Sequence, residues 1–177
     1  SAPPPASPTH KTMAWSPDAS KVAYSMTGGF EVFVPGAGPN AEPLVFTISE
    51  APIRQMAWSD DGRWLLLWRE DNSTVIYEST PDVTLWVGLG DIIGYVWLRD
   101  GRLAFAPAEG GLALLDPADL ESRVFMVSQD RTVSLPGQRP DGSLVFFVHQ
   151  GSIDQPGTLH VGDPDDLSFH QESSVQV

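Results

Sequence analysis

Three histidines and three carboxylates lie near one another toward the end of the chain, and they are the first residues to weigh for chemistry. His149, His160 and His170 could ligate a metal if folding converged them, and Asp163, Asp165 and Asp166 carry the hard oxygen donors that calcium prefers. The spacing speaks against both. The histidine separations are not the short helical or loop spacings of zinc sites, and Pro164 and Leu167 interrupt the alternation of a calcium loop. They read as surface histidines and a solvated acidic turn. Gly88-Leu89-Gly90-Asp91-Ile92-Ile93-Gly94 resembles a dinucleotide-binding loop only superficially, because the last glycine comes one position late and no helix follows. It reads as a flexible connection. No Gly-x-Ser-x-Gly nucleophile elbow occurs, and without cysteine there are neither disulfides nor thiolate metal sites. Asn72-Ser73-Thr74 is a glycosylation sequon on an expected hairpin tip. The expectation is therefore no catalytic residue, no cofactor, no metal and no enzyme activity.

Charge narrows the partners. The 177 residues carry a formal net charge of −13, and only Lys11 and Lys21 supply lysine. Phosphate binding needs clustered Lys and Arg, so nucleic acid and anionic membrane surfaces are disfavoured. No window approaches 18 consecutive apolar residues, so no segment is expected to enter a membrane. An apolar fraction of 41% with 16 Pro and 16 Gly fits a turn-rich β protein with a real core. The absence of cysteine suits a secreted chain.

The elements that would position any site come from a repeat. Met13-Ala14-Trp15-Ser16-Pro17-Asp18, followed by Lys21-Val22-Ala23-Tyr24, returns as Met56-Ala57-Trp58-Ser59-Asp60-Asp61-Gly62 before Trp64-Leu65-Leu66-Leu67-Trp68. A third copy is Val96-Trp97-Leu98-Arg99-Asp100-Gly101-Arg102-Leu103, and a worn fourth is Arg139-Pro140-Asp141-Gly142-Ser143-Leu144, with Gln138 in place of tryptophan. The turn acids Asp18, Asp61, Asp100 and Asp141 are separated by steps of 43, 39 and 41 residues. Self-similarity at such a period marks a repeat architecture. Each copy reads as four strands joined by tight turns, with Asp-Gly at three of the first hairpins because glycine tolerates positive φ. Asp116-Pro117-Ala118-Asp119-Leu120 and Asp163-Pro164-Asp165-Asp166-Leu167 are matching turns between third and fourth strands. Second strands are apolar on both faces, which implies burial between sheets, while third strands alternate more. Trp15, Trp58, Trp64, Trp68 and Trp97 are expected in cores, with Trp15, Trp58 and Trp97 in equivalent surroundings; Trp86 is the candidate exposed aromatic.

The Trp15-Ser16-Pro17-Asp18 phrase and its copies resemble the β-propeller repeat of TolB-type periplasmic proteins, and more distantly WD repeats. The resemblance runs from Met13 to the chain end. Departures are Ala19 for the usual glycine, third and fourth copies one residue shorter between turn and strand, and Gln138. The resemblance implies an all-β propeller of four four-stranded blades, at about 13–52, 53–93, 94–130 and 131–172, with residues 1–12 a Pro-rich linker. Residues 173–177 fall where a further blade would begin or close. Such propellers usually have more blades, which leaves a compact four-blade ring, part of a larger ring, or two chains completing one. The function implied is an extracytoplasmic protein-interaction scaffold whose partner is a protein, a second copy included. The alternative is the propeller of a larger enzyme, gating or positioning substrate.

Overall fold

The computed structural model describes residues 12–38, 42–47, 51–79, 86–125 and 131–176, with side chains described at all of these except 46, 47, 86, 135 and 173–176. The Pro-rich linker up to residue 11, most of the strand expected at 83–87 and the side chain of Trp86 lie outside the described residues. Among the described residues all regular structure is β. The first copy holds β1 (Met13–Trp15), β2 (Val22–Met26), β3 (Gly29–Phe33) and β4 (Leu44–Thr47). The second holds β5 (Ile53–Trp58), β6 (Trp64–Arg69) and β7 (Ser73–Glu78). Then come β8 (Trp86–Trp97), β9 (Leu103–Pro107), β10 (Leu112–Asp116) and β11 (Glu121–Phe125). The last copy holds β12 (Arg131–Gln138), β13 (Leu144–Gln150), β14 (Gly157–Asp163) and β15 (Ser168–Gln176).

The first and last copies are four-stranded antiparallel sheets in sequential order, as the repeat predicts. The middle copies correct that prediction. From Trp86 the chain runs through the expected flexible Gly88–Gly94 connection and into the expected first strand as one 12-residue strand, β8. That strand serves both copies, so the strand order reads β11-β10-β9-β8-β7-β6-β5, seven strands where eight were expected. Gly90 takes φ 70° inside it without ending the strand. Residues 173–176 continue β15, where Gln176 lies opposite Thr158.

The first strands of the last three copies share a defect. Pairing slips between Ile53 and Gln55, between Ile92 and Gly94, and between Ser134 and Gly137. A bulge recurring at one place is a designed bend rather than an accident, since it raises local twist and re-aims side chains.

The chain divides into two compact units at Gly88/Leu89. In the first, Ala23, Phe30 and Val32 pack with Met56, Trp58, Leu65, Leu67, Val75 and Tyr77, and Phe30 meets Tyr77 edge-on at 5.1 Å. In the second, Leu98, Ala104, Leu112 and Leu114 pack with Val133, Leu144, Phe146 and Val148; Phe169 sits edge-on against Phe146 at 4.9 Å. In each unit the core lies between two successive copies, so neither sheet buries its apolar face alone. β6 and β9 are buried on both faces, as their composition predicts. β7 and β10 are buried nearly throughout, which departs from the alternation expected of third strands.

Candidate functional site

The four recurring acids all sit in one kind of turn. The amide of the residue after each acid donates back three residues: Ala19 to Ser16 O, Gly62 to Ser59 O, Gly101 to Leu98 O and Gly142 to Arg139 O, at 2.9–3.0 Å. That residue has positive φ in every copy: 56° for Ala19, 67° for Gly62, 91° for Gly101 and 93° for Gly142. The Asp carboxylate then accepts the amide two residues on, from Ser20, Arg63, Arg102 or Ser143, at 2.9–3.0 Å. A side-chain acceptor held this way closes the turn at the level of the sequence itself. The same arrangement joins third to fourth strands, where Asp116, Asp119, Asp163 and Asp166 each accept the amide two residues ahead.

The one-residue difference between early and late copies has a chemical cause. The turn closes from Ser16 N to Lys21 O and Ser59 N to Trp64 O, but from Leu98 N to Arg102 O and Arg139 N to Ser143 O. The longer turns have an extra amide to satisfy. Lys21 N and Trp64 N donate to Ser16 Oγ and Ser59 Oγ, both at 2.9 Å. Leu98 and Arg139 have no hydroxyl to offer, and their shorter turns have no such amide.

Such bonds favour the ionised carboxylate at Asp18, Asp71, Asp100, Asp141 and Asp166. The Ser16 hydroxyl, then the Ser20 amide and hydroxyl, lower Asp18 from 3.8 to about 2. Ser73 and Ser143 lower Asp71 and Asp141 in the same way. For Asp100, partial burial pushes upward and is outweighed by bonds from the Arg102 side chain and amide. Arg102 is raised in turn by Asp100, against the opposing effect of burial and with help from Asp165.

Other polar groups tie one copy to the next. Lys21 Nζ donates to Gly62 O at 3.1 Å and to Ser79 Oγ at 2.8 Å, and it stands 5.7 Å from the Trp58 ring centroid. Trp58 Nε1 donates to Ala14 O at 3.0 Å. In the second unit Gln138, which stands where the fourth tryptophan would be, takes over this bridging: its Oε1 accepts from Arg99 N at 3.0 Å. Arg99 also donates to Pro140 O at 2.7 Å, and Arg102 bridges Asp100 and Asp165 at 2.5 Å each. Asp100, Arg102, Gln138 and Asp165 line a cleft of about 460 Å³. The acids and glycines singled out by the repeat (Asp18, Asp61, Gly62, Asp100, Gly101, Asp141 and Gly142) are therefore structural turn residues. Within each unit the turns are neighbours: a Cβ on Gly62 would lie 3.9 Å from Asp18 Oδ1, and Asp100, Asp141 and Gly142 line the same cleft.

Three expectations change. Trp58 and Trp97 are buried, but Trp15 is 51% exposed, although all three lie opposite the first residue or residues of the following strand in the same register. Local pairing is equivalent; what covers the sheet differs, because Trp58 packs on the first copy and nothing described covers Trp15. Tyr24 and Met26 are likewise exposed in a second strand expected to be buried on both faces. His149, expected at the surface, is buried; His170 is exposed. Burial, with smaller contributions from Arg131 and His170, lowers the pKa of His160. Among the described residues no cluster of three or more His, Asp or Glu could hold a metal ion. Asn72 does lie at an exposed hairpin tip, with φ 68°.

One face of the first sheet is unlike the rest. Met13, Tyr24, Glu31 and Val45 stand in a single cross-strand row, with Trp15 and Met26 on the same face. Met13 is 63% exposed and Val45 58%, while Ala23 and Val32 on the opposite face are buried. The row is apolar except for Glu31, whose carboxylate accepts from the Tyr24 hydroxyl.

No protein-family model matches the chain, and no curated protein matches it. Solved structures do. The Dos1 propeller is 15% identical with a TM-score of 0.62, over 93% of this chain and 49% of its own. The β-propeller domain of Cps50 (Swd1) from Myceliophteria thermophila is 13% identical with a TM-score of 0.61, over 94% and 57%. An oligogalacturonate lyase in complex with manganese is 14% identical with a TM-score of 0.61, over 92% and 52%. The chain spans about half the length of these structures, and its fold is that of β-propeller sheets.

Proposed function

We propose that this chain is a protein-interaction module made of TolB-type propeller blades, acting outside the cytoplasm, with blades near 13–52, 53–93, 94–130 and 131–172. The carrying observation is the exposed face of Met13, Trp15, Tyr24, Met26 and Val45, which has the apolar character of a contact surface. The Trp-Ser-Pro-Asp phrase supports the repeat type, and the cysteine-free composition supports an oxidising compartment. The partner this face suits is a protein with an apolar patch and a basic rim, which would complement the charge of −13.

Tyr24→Lys with Met26→Lys tests the reading. Both residues are exposed, so the double variant keeps the thermal midpoint of the parent. A photo-crosslinker placed at Val45 captures a defined protein from the native source with the parent chain, and the same band is lost with the double variant. Equal crosslinking of that protein by both chains would reject the assignment.

A further inference from the structure

A buried serine–histidine pair stands apart from the repeat. Ser134 Oγ on β12 lies 2.6 Å from His149 Nε2 on β13, and the two residues are only 3% and 9% exposed. On the other side of the ring, His149 Nδ1 lies 2.7 Å from Gln155 O. A backbone carbonyl can only accept, so Nδ1 carries a hydrogen, and in the neutral imidazole Nε2 then presents its lone pair. The hydrogen between the residues is then the hydroxyl's, donated by Ser134. A hydroxyl donating to a ring nitrogen, whose other nitrogen is held by a third group, is the arrangement of nucleophile, base and orienter.

The surroundings hold that arrangement in place. Gly157 lies opposite His149 in the sheet, and a Cβ there would come within 2.7 Å of the ring, so the position accepts the imidazole only as glycine. Ser134 sits at the edge of the β12 bulge, where side chains are re-aimed. The repeat supplies an internal control. Opposite the second-strand positions matching Phe147, the other copies carry Thr12, Gln55 and Gly94; at the position of His149, counted from Val22, Leu65 and Leu103, they carry Thr27, Glu70 and Ala108, so no other copy repeats the serine–histidine pair. The pair is therefore not a device for building a blade.

It also borders a cavity of about 400 Å³, whose walls include Ile93, Phe147, Ile153 and Pro156, with Asp154 also lining it. Mostly apolar walls with a few convergent polar groups are the usual form of a small-molecule site.

We propose that Ser134, with His149 as its base, is an acyl-accepting nucleophile, and that this cavity takes esters with a small apolar acyl group. Ser134 Oγ adds to the ester carbonyl carbon as its proton passes to His149 Nε2. The tetrahedral adduct collapses with cleavage of the carbonyl–alkoxide bond, and Nε2 returns the proton to the departing alcohol. Water, giving its proton to the same nitrogen, then adds to the acyl-serine; collapse releases the carboxylic acid and restores the hydroxyl. This goes beyond the interaction role and does not depend on it.

The full chain is incubated with a fluorophosphonate probe and, separately, with p-nitrophenyl acetate. The expected result is one phosphonyl group per chain, located at Ser134 by peptide mass spectrometry, together with ester turnover that Ser134→Ala abolishes. His149→Gln slows labelling by about 100-fold or more, the usual contribution of a positioned base. Should His149→Gln lower the thermal midpoint, the pH profile of parent labelling decides instead: it rises through one ionisation to a plateau. Absence of label on Ser134 in folded protein, labelling unchanged in folded His149→Gln, or a rate that climbs with hydroxide without a plateau would overturn the assignment.

Discussion

Ala19 occupies the one repeat turn in which a residue with a side chain takes the backbone its counterparts take as glycine. Its φ is 56°, against 67° for Gly62 in the same unit. An L-residue in that region costs about 1–2 kcal/mol, because Cβ crowds the following carbonyl. Glycine removes the crowding but enlarges the unfolded ensemble by about 0.4–1 kcal/mol. Ala19→Gly is therefore expected to stabilise the chain by about 0.5–1 kcal/mol, and Gly62→Ala to destabilise it by a similar amount. A Cβ on Gly62 would meet Ser16 Cβ at 3.5 Å, an ordinary contact, so backbone conformation alone decides its sign. Urea unfolding followed by far-ultraviolet circular dichroism measures both variants, with the midpoint moving at constant slope. The reasoning fails if Ala19→Gly lowers the midpoint, or if Gly62→Ala raises it.

Gly162 offers a larger effect: a Cβ there would lie 1.9 Å from Ser168 O, so Gly162→Ala should cost about 3 kcal/mol, read in the same unfolding experiment. The lowered pKa of Asp18 makes a contribution to stability that is complete above pH 3.8 and disappears as pH falls toward about 2. Asp18→Asn should accordingly flatten the acid limb of a stability–pH curve below pH 4, and an unchanged limb would contradict this. Lys21→Met removes a charged donor shared by Gly62 O and Ser79 Oγ and should cost about 1–2 kcal/mol by chemical denaturation. Gln138→Ala leaves Arg99 N without its acceptor and should cost about 1 kcal/mol.

What the sequence made legible was what is settled within a few residues. The turns at Asp18, Asp61, Asp100 and Asp141 could be read because acid, amide and positive-φ residue are adjacent. The exposure of Trp15 could not, since a tryptophan's surroundings depend on the sheet across from it and not on its own strand. The continuity of β8 was hidden by Gly88, Gly90 and Gly94, which look like breakers but are carried by neighbouring strands. The Ser134–His149 pair was invisible for a similar reason: a bulge, not a motif, sets which side chain of β12 faces β13. The bridging of Gln138 was equally hidden, because its partner Arg99 lies 39 residues away.

The pairing of a strand-end serine with the longer turn makes those residues inherit together. Transplanting the Asp61 turn into the third copy would strand an amide unless Leu98→Ser travelled with it, and trimming a residue from the Asp18 turn would leave Ser16 without its guest. Insertions and deletions in such a chain are thus tolerated as matched cassettes. The boundary of each cassette runs from the serine to the first residue of the strand that follows.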